Sequence, residues 1–173
     1  MLSAEMPWPT RKPSTMRIGI DTSVIVGLLD SRDTWHPSAV ELQGALTAAE
    51  LSLVYFDCTL AETVSTMARR LREKRREAEL PGLLDRLSAN FPPETITWIL
   101  PDVPRLYEQV LGLIRSSSGE LGFNDGLIAL ACRERGIQAL ASFDRDFDNI
   151  PWLVRAATPG DVEAILRSGQ GIR

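Results

Sequence analysis

The sequence predicts an α/β fold in which helices cover both faces of a parallel sheet. Short apolar runs typical of buried strands alternate with segments whose apolar residues recur at helical spacing. Parallel strands need such crossovers, and helical crossovers cover the sheet on both faces. The chain contains no internal repeat and no interior linker, and its 173 residues suit a single domain.

The first third of the chain begins with a segment that shows no periodicity. Residues 1–15 contain Pro7, Pro9 and Pro13, and we interpret them as a flexible N-terminal segment before a domain at 16–173. Pro37 favours a helix start because its fixed φ suits the first helical position. The elements expected next are a strand at 17–20, a short helix at 24–29, a helix at 38–50 and a strand at 51–56.

The middle third is mostly helical. A long helix is expected at 59–76, and a shorter one at 80–87 follows a break at Pro81-Gly82. The segment 95–100 is rich in β-branched residues and bounded by prolines, which predicts a third strand. Apolar residues at helical spacing predict a helix at 103–115.

The last third contains the most apolar helix, expected at 125–135. Gly136 would close this helix, because glycine adopts the left-handed conformation common just after a helix end. A fourth strand is expected at 138–142, a weak fifth at 153–155 and a final helix at 160–167. A loop with three aspartates separates the last two strands.

Composition excludes several classes of protein. No apolar stretch approaches the roughly 18 residues of a membrane-spanning helix. The N-terminus has no signal-peptide pattern, and Cys58 and Cys132 lack CxxC spacing, so we expect a reduced cytoplasmic protein without membrane association. The net charge of −4 argues against binding of nucleic acid by bulk electrostatic attraction.

Two aspartates follow predicted strands. Asp21 lies at the end of the first strand, and Asp144 comes two residues after Ser142 of the fourth strand. Ligand sites of open parallel sheets form at the carboxyl ends of strands, where strand order reverses. The two carboxylates converge if the first and fourth strands are neighbours.

Glu62 and Asp125 each fall in the first turn of a predicted helix, where the helix dipole favours the ionised form. Together with Asp21 and Asp144 they would repel one another strongly unless a hard cation were bound. Mg²⁺ and Mn²⁺ prefer such carboxylate and water sites.

Each acid also has a purely structural interpretation. Asp21 could cap the helix that follows it, and Asp144 could initiate a turn. Glu62 completes a capping box with Thr59, and Asp125 could be a dipole-favoured residue beside an Asn124 cap. Independent caps, however, need not follow the order and spacing of one family.

The acids stand in segments that resemble the motifs of the PIN-domain family, in particular the VapC-like toxin ribonucleases of toxin–antitoxin pairs. The resemblance spans about 17–154. The segments are IGIDTSVI at 18–25, LAETV at 60–64, FNDGLIALA at 123–131 and ALASFDRDF at 139–147.

The resemblance implies a three-layer α/β/α fold with a five-stranded parallel sheet of order 3-2-1-4-5. It implies a Mg²⁺- or Mn²⁺-dependent endoribonuclease whose metal ligands are Asp21, Glu62, Asp125 and Asp144, with Asp146 as a fifth acid. Ser23, Ser142 and Asn124 would orient the carboxylates or the attacking water. It further implies RNA as substrate, an antitoxin protein as partner and a homodimer.

A basic run lies beyond Glu62 on the same predicted helix. It contains Arg69, Arg70, Arg72, Lys74, Arg75 and Arg76. The run could guide an RNA backbone toward the acids, or it could be a solvated helix with ion pairs at helical spacing. A docking surface for an antitoxin is a third interpretation, which the resemblance suggests.

Other catalytic classes lack their residues. A Ser-His-Asp triad would need His36, the single histidine, which lies in a loop beside Pro37. Phosphoaspartyl enzymes and P-loop nucleotidases belong to families that use a lysine near the site. The only lysines in this sequence are Lys12 and Lys74, which argues against both classes.

A non-catalytic PIN-like module that binds RNA or protein is the alternative function. All four acids are present, which argues against it. Trp35, Trp98 and Trp152 lie beside loops or in strands, and we interpret them as core or edge packing rather than base-stacking platforms.

Overall fold

The computed structural model describes residues 16–169, so the expected flexible segment at 1–15 falls outside the described residues. Five parallel strands form one sheet in the order β3-β2-β1-β4-β5. This confirms the predicted fold class and strand order. The strands are β1 (Arg17–Ile20), β2 (Ser52–Phe56), β3 (Ile96–Thr97), β4 (Ala139–Ala141) and β5 (Val154–Ala156).

The described residues form seven α-helices that connect and cover the strands. They are α1 (Thr22–Leu29), α2 (His36–Ala48), α3 (Asp57–Glu73), α4 (Leu80–Asn90), α5 (Val103–Ser116), α6 (Phe123–Glu134) and α7 (Pro159–Gly169). Within the described residues, none of these helices is long and apolar enough to cross a membrane.

The core divides into two layers, one on each face of the sheet. Ile18 and Ile20 of β1 pack on one face with buried residues of α1, α2, α3, α4 and α7. Phe56 and Leu140 belong to the second layer, which is built mainly from α5 and α6. Every residue from Gly126 to Cys132 is buried, which explains the apolar character of α6.

Gly19 allows β1 to approach this second layer closely. A Cβ at position 19 would lie 2.9 Å from Leu140 Cδ1 and 3.5 Å from both Cys132 Sγ and Phe56 Cε2. Gly136 has φ +65° just after α6, as its predicted role at the helix end requires. Gly19 thus allows α6 to pack closely against β1, and Gly136 allows the chain to turn at the end of α6.

The third strand is shorter than predicted because a buried acid takes its backbone donors. Asp57 Oδ1 accepts the amide of Ile99 at 3.0 Å, and Asp57 Oδ2 accepts the amide of Leu100 at 3.0 Å. These donors are therefore lost to the sheet, and the strand ends at Thr97.

Two predicted helix starts were wrong. Helix α3 begins at Asp57 directly after β2, so Glu62 lies in its second turn, and the capping box with Thr59 does not form. Gly122 rather than Asn124 precedes α6, and the carboxylate of Asp125 accepts the Gly122 amide at 2.7 Å. Asp125 therefore does lie in the first turn of its helix.

The tryptophans differ in their burial. Trp152 is half-buried, and its indole Nε1 donates to the Ala129 carbonyl at 3.0 Å, as expected for packing. Trp35 and Trp98 are instead 45% and 57% exposed, so neither is a core residue.

Candidate active site

Asp21 lies at the carboxyl ends of the two central strands. Its amide donates to the Ala141 carbonyl at 3.0 Å, which joins the end of β1 to the end of β4. Its side chain caps α1, as the structural interpretation proposed, by accepting the Ser23 amide at 3.2 Å. The cap is one part of a larger hydrogen-bond network.

Two serine hydroxyls from different elements hold the buried carboxylate of Asp21. Ser23 Oγ and Ser142 Oγ donate to Oδ2 at 2.7 Å and 2.8 Å. Ser23 Oγ also accepts the Phe143 amide at 3.0 Å, and Ser142 Oγ accepts the Asp144 amide at 3.0 Å. Both serines therefore connect Asp21 to the segment that leaves β4.

The Asp21 carboxyl is removed from water, and this burial raises its pKa. The hydrogen bonds from Ser23 and Ser142 oppose the shift because they stabilise the ionised form. The net direction is upward, so a positive charge placed nearby would stabilise the ionised form of Asp21.

Glu62 and Asn124 meet across two helices. Asn124 Nδ2 of α6 donates to Glu62 Oε2 of α3 at 3.2 Å. Both residues are half-buried. One amide hydrogen bond from Asn124 therefore orients Glu62.

Burial and three other acids raise the pKa of Asp125. Burial is the largest cause that raises its pKa to about 6, and the charges of Asp21, Glu62 and Asp144 raise it further. The Gly122 amide lowers the pKa but does not offset these effects. We define the acid cluster as Asp21, Glu62, Asp125 and Asp144.

The three aspartates that follow β4 have different environments. Asp144 is exposed and accepts the Asp146 amide at 2.9 Å, so it starts a turn, and its charge also raises the pKa of Asp125. Burial, Asp144 and Glu120 raise the pKa of Asp146 in that order. Asp148 instead pairs with Arg155 at 2.7 Å.

Sequence reasoning missed Glu120. This residue lies in the turn between α5 and α6, where its carboxylate accepts the Asn149 side-chain amide at 3.1 Å. It belongs to no motif and follows no strand, so only the folded chain brings it near Asp146.

The acid cluster fits a hard divalent cation by its donor chemistry. Its polar atoms are all carboxylate oxygens, and a cation would offset the part of the Asp125 pKa shift that comes from the charges of the other three acids. Among residues 16–169, no three Asp, Glu, His or Cys side chains are arranged to hold a metal ion directly. Mg²⁺ does not need such a set, because it keeps several waters and binds through one or two carboxylates.

The basic run is partly occupied by internal ion pairs. Arg76 is only 13% exposed in its side chain and pairs with Asp30 at 2.8 Å and Glu79 at 2.7 Å. Arg70 pairs with the buried Asp33. Arg69 pairs with Glu73 one turn along α3 at 3.2 Å, whereas Arg72 and Arg75 are exposed.

Comparison with known proteins identifies the family of this chain. Residues 18–153 match the family model of the PIN domain. A search of curated proteins found no match.

Solved structures that are similar to this chain include the following two. One is Mycobacterium tuberculosis VapC20, described as a sarcin-ricin loop cleaving toxin, with a TM-score of 0.60 and 22% identity over 79% of this chain and 96% of that one. The other is Rickettsia felis VapBC2 bound to a promoter DNA fragment, with a TM-score of 0.57 and 17% identity over 82% of this chain and 98% of that one. At these identities the likeness shows a shared fold.

Proposed function

The chain belongs to the PIN-domain family, and from this premise we propose that it is a metal-dependent endoribonuclease, the toxin of a type II toxin–antitoxin pair. The acid cluster supports this proposal best. The pKa of Asp125 on α6 is raised to about 6, mainly by burial and further by the charges of Asp21 after β1, Glu62 on α3 and Asp144 after β4. Such repulsion is destabilising unless the site binds a cation.

In the proposed reaction the acid cluster holds Mg²⁺ or Mn²⁺, with Asp146 as a fifth acid. The bound ion would lower the pKa of a water molecule and neutralise charge on the phosphodiester. Ser23 and Ser142 keep Asp21 in one orientation, and Asn124 does the same for Glu62. These residues support the ligands, because they contact the carboxylates that would bind the ion.

In this proposal some arginines of the basic run contact RNA, and others stabilise the fold. Arg72 and Arg75 are exposed and would contact the RNA backbone, and Arg69 could join them by exchanging its exposed partner Glu73. Arg70 and Arg76 would instead hold the loop at 30–35 through Asp33 and Asp30. Substitution of Arg72 and Arg75 should therefore weaken RNA binding without loss of stability.

Partners are proposed from the similar structures. VapC20 is a sarcin-ricin loop cleaving toxin, and VapBC2 was solved bound to a DNA fragment from its promoter. We extend both to this chain as RNA cleavage and antitoxin binding, with a homodimer in the cytoplasm. Expression of the chain alone should arrest growth, whereas Asp21→Asn should not.

The central test is RNA cleavage by the purified protein in Mg²⁺, in Mn²⁺ and in EDTA. Asp21→Asn and Asp125→Asn should each lower the cleavage rate by about 100-fold or more, because each removes a charged ligand. Glu163→Gln is the matched control, since Glu163 lies on α7 outside the acid cluster and its side chain is 71% exposed.

Two results would contradict the proposal. Cleavage that persists in EDTA or in both site variants would exclude the acid cluster as the metal site. Absence of cleavage on every RNA tried, together with no metal binding, would favour the non-catalytic binding module.

A further inference from the structure

Trp35 is an exposed aromatic ring with one covered face. It lies in the loop between α1 and α2 and is 45% exposed. Its ring stacks on Phe143 with centroids 4.8 Å apart and planes within 9° of parallel. Because Phe143 covers one face of the indole, a further ring can stack only on the opposite face.

The stacked pair is joined to the acid cluster through Ser23. Phe143 lies between Ser142 and Asp144 in the chain, and its amide donates to Ser23 Oγ at 3.0 Å. The same hydroxyl donates to Asp21 at 2.7 Å. The backbone of Phe143 is thus connected to Asp21 through one hydroxyl group.

Internal ion pairs hold the loop that contains Trp35. Asp33 Oδ1 accepts the Trp35 amide at 2.9 Å, and Arg70 pairs with the other oxygen of Asp33. Arg76 makes two hydrogen bonds to Asp30, at 2.8 Å and 3.0 Å. These contacts hold the backbone of the loop, and the stack on Phe143 holds the indole, which lowers the entropy cost of binding a base to it.

The charge of the protein makes an apolar contact with RNA useful. The chain has a net charge of −4, and the acid cluster repels phosphates when no cation is bound. Stacking of nucleobases on aromatic rings gives affinity that does not depend on charge and tolerates any base. Trp35 is positioned to supply this contribution next to the acids.

We propose that Trp35, supported from behind by Phe143, is a stacking platform for one nucleobase of single-stranded RNA beside the acid cluster. The base would lie on the open face of the indole and extend the stack to three rings. This inference rests on the proposed function, because it makes RNA the ligand of the same site. It assigns to Trp35 the contact that aligns the strand near the metal ligands.

Binding can be measured without cleavage in the Asp125→Asn background with Mg²⁺ present. The probes are a fluorescently labelled 12-nucleotide oligoadenylate and an abasic ribose-phosphate oligomer of equal length and charge. Trp35→Ala should lower affinity for oligoadenylate by about 10- to 100-fold, because one stacked base is lost. Affinity for the abasic oligomer should not change.

Two further variants make the test specific. Trp35→Phe should retain most of the affinity, since it keeps an aromatic face. Trp98→Ala removes a second exposed tryptophan, one that follows the edge strand β3, and should leave binding unchanged. If thermal unfolding shows that Trp35→Ala does not fold, Trp35→Leu replaces it as a variant that keeps the bulk without an aromatic face.

The platform is overturned if affinity for oligoadenylate is unchanged, if both probes lose affinity equally, or if Trp98→Ala has the same effect. Cleavage by the wild type gives a separate result. If the wild type cleaves RNA and Trp35→Ala binds oligoadenylate as tightly as its parent, the nuclease function stands and the stacking platform is wrong. A selective loss of oligoadenylate binding without any cleavage would retain the platform and remove the nuclease.

Discussion

Ser142 is a residue whose hydroxyl has two tasks at the candidate site. It donates to Asp21 and accepts the Asp144 amide, so it positions two acids at once. Ser142→Ala should weaken Mn²⁺ binding by about tenfold, as loss of groups that orient metal ligands commonly does.

Ser65→Ala is the matched control for Ser142→Ala. Ser65 lies exposed on α3, and its hydroxyl bonds only to the carbonyl of the preceding helical turn. Isothermal titration with Mn²⁺ would compare the two variants with the wild type. Equal affinities for all three proteins would show that the serine network does not orient the ligands.

Asp125 makes stability depend on pH in a direction that can be worked out. Its pKa of about 6 in the folded chain lies above the ordinary value of 3.8. Between these values the folded chain retains a proton that the unfolded chain releases, so stability falls as pH rises from about 4 to 6. Without metal, Asp125→Asn should therefore gain about 2 kcal/mol at pH 8 and much less at pH 4.

Urea unfolding in EDTA across this pH range measures the effect of Asp125→Asn. Asp148→Asn supplies a control of opposite sign, because the hydrogen bond from Arg155 lowers the pKa of Asp148. That variant should lose stability at neutral pH. A gain for Asp125→Asn that does not vary with pH would show that the carboxyl is not held in a repulsive environment.

At the scale of elements, the close packing of β1 against its neighbours can be tested at Gly19. Gly19→Ala should destabilise the fold by about 1–3 kcal/mol, since the new Cβ would lie 2.9 Å from the fully buried Leu140. Gly44→Ala in α2 meets no atom within 4 Å and should be stabilising by about 0.5–1 kcal/mol. Equal effects of both changes in urea unfolding would contradict close packing at β1.

The existence and order of the elements could be predicted from the sequence because strand and helix periodicities are local. The start of α3 and the end of β3 could not be predicted, because the Asp57 carboxylate accepts hydrogen bonds from the amides of Ile99 and Leu100, more than 40 residues away. Local patterns contain no sign of that contact. Hydrogen bonds between distant residues therefore explain the boundaries of α3 and β3, where the prediction was wrong.

The candidate site divides in the same way. Asp21 and Asp125 could be predicted because each lies at a strand end or in the first turn of a helix. Glu120 could not, since it reaches Asp146 only through the folding of two turns. The pairing of Arg76 with Asp30 spans 46 residues, so the sequence alone showed a basic run without its partners.

At the scale of the whole molecule, bound metal should stabilise the fold. An ion at 100 times its Kd contributes about 2.7 kcal/mol, which corresponds to a rise in Tm of about 5–10 °C for a chain of this length. Mn²⁺ should raise the Tm of the wild type and of Glu163→Gln. It should have little effect on Asp21→Asn, and an equal rise in that variant would place the ion elsewhere.

The buried face beside Gly19 has a chemical consequence. Cys58 and Cys132 are the two cysteines of the chain, and burial raises the pKa of both thiols to about 12. Thiol reagents attack the thiolate, which is scarce here and shielded from solvent. Alkylation must therefore wait until the layer between the sheet and α6 opens, and its rate reports how often that opening occurs.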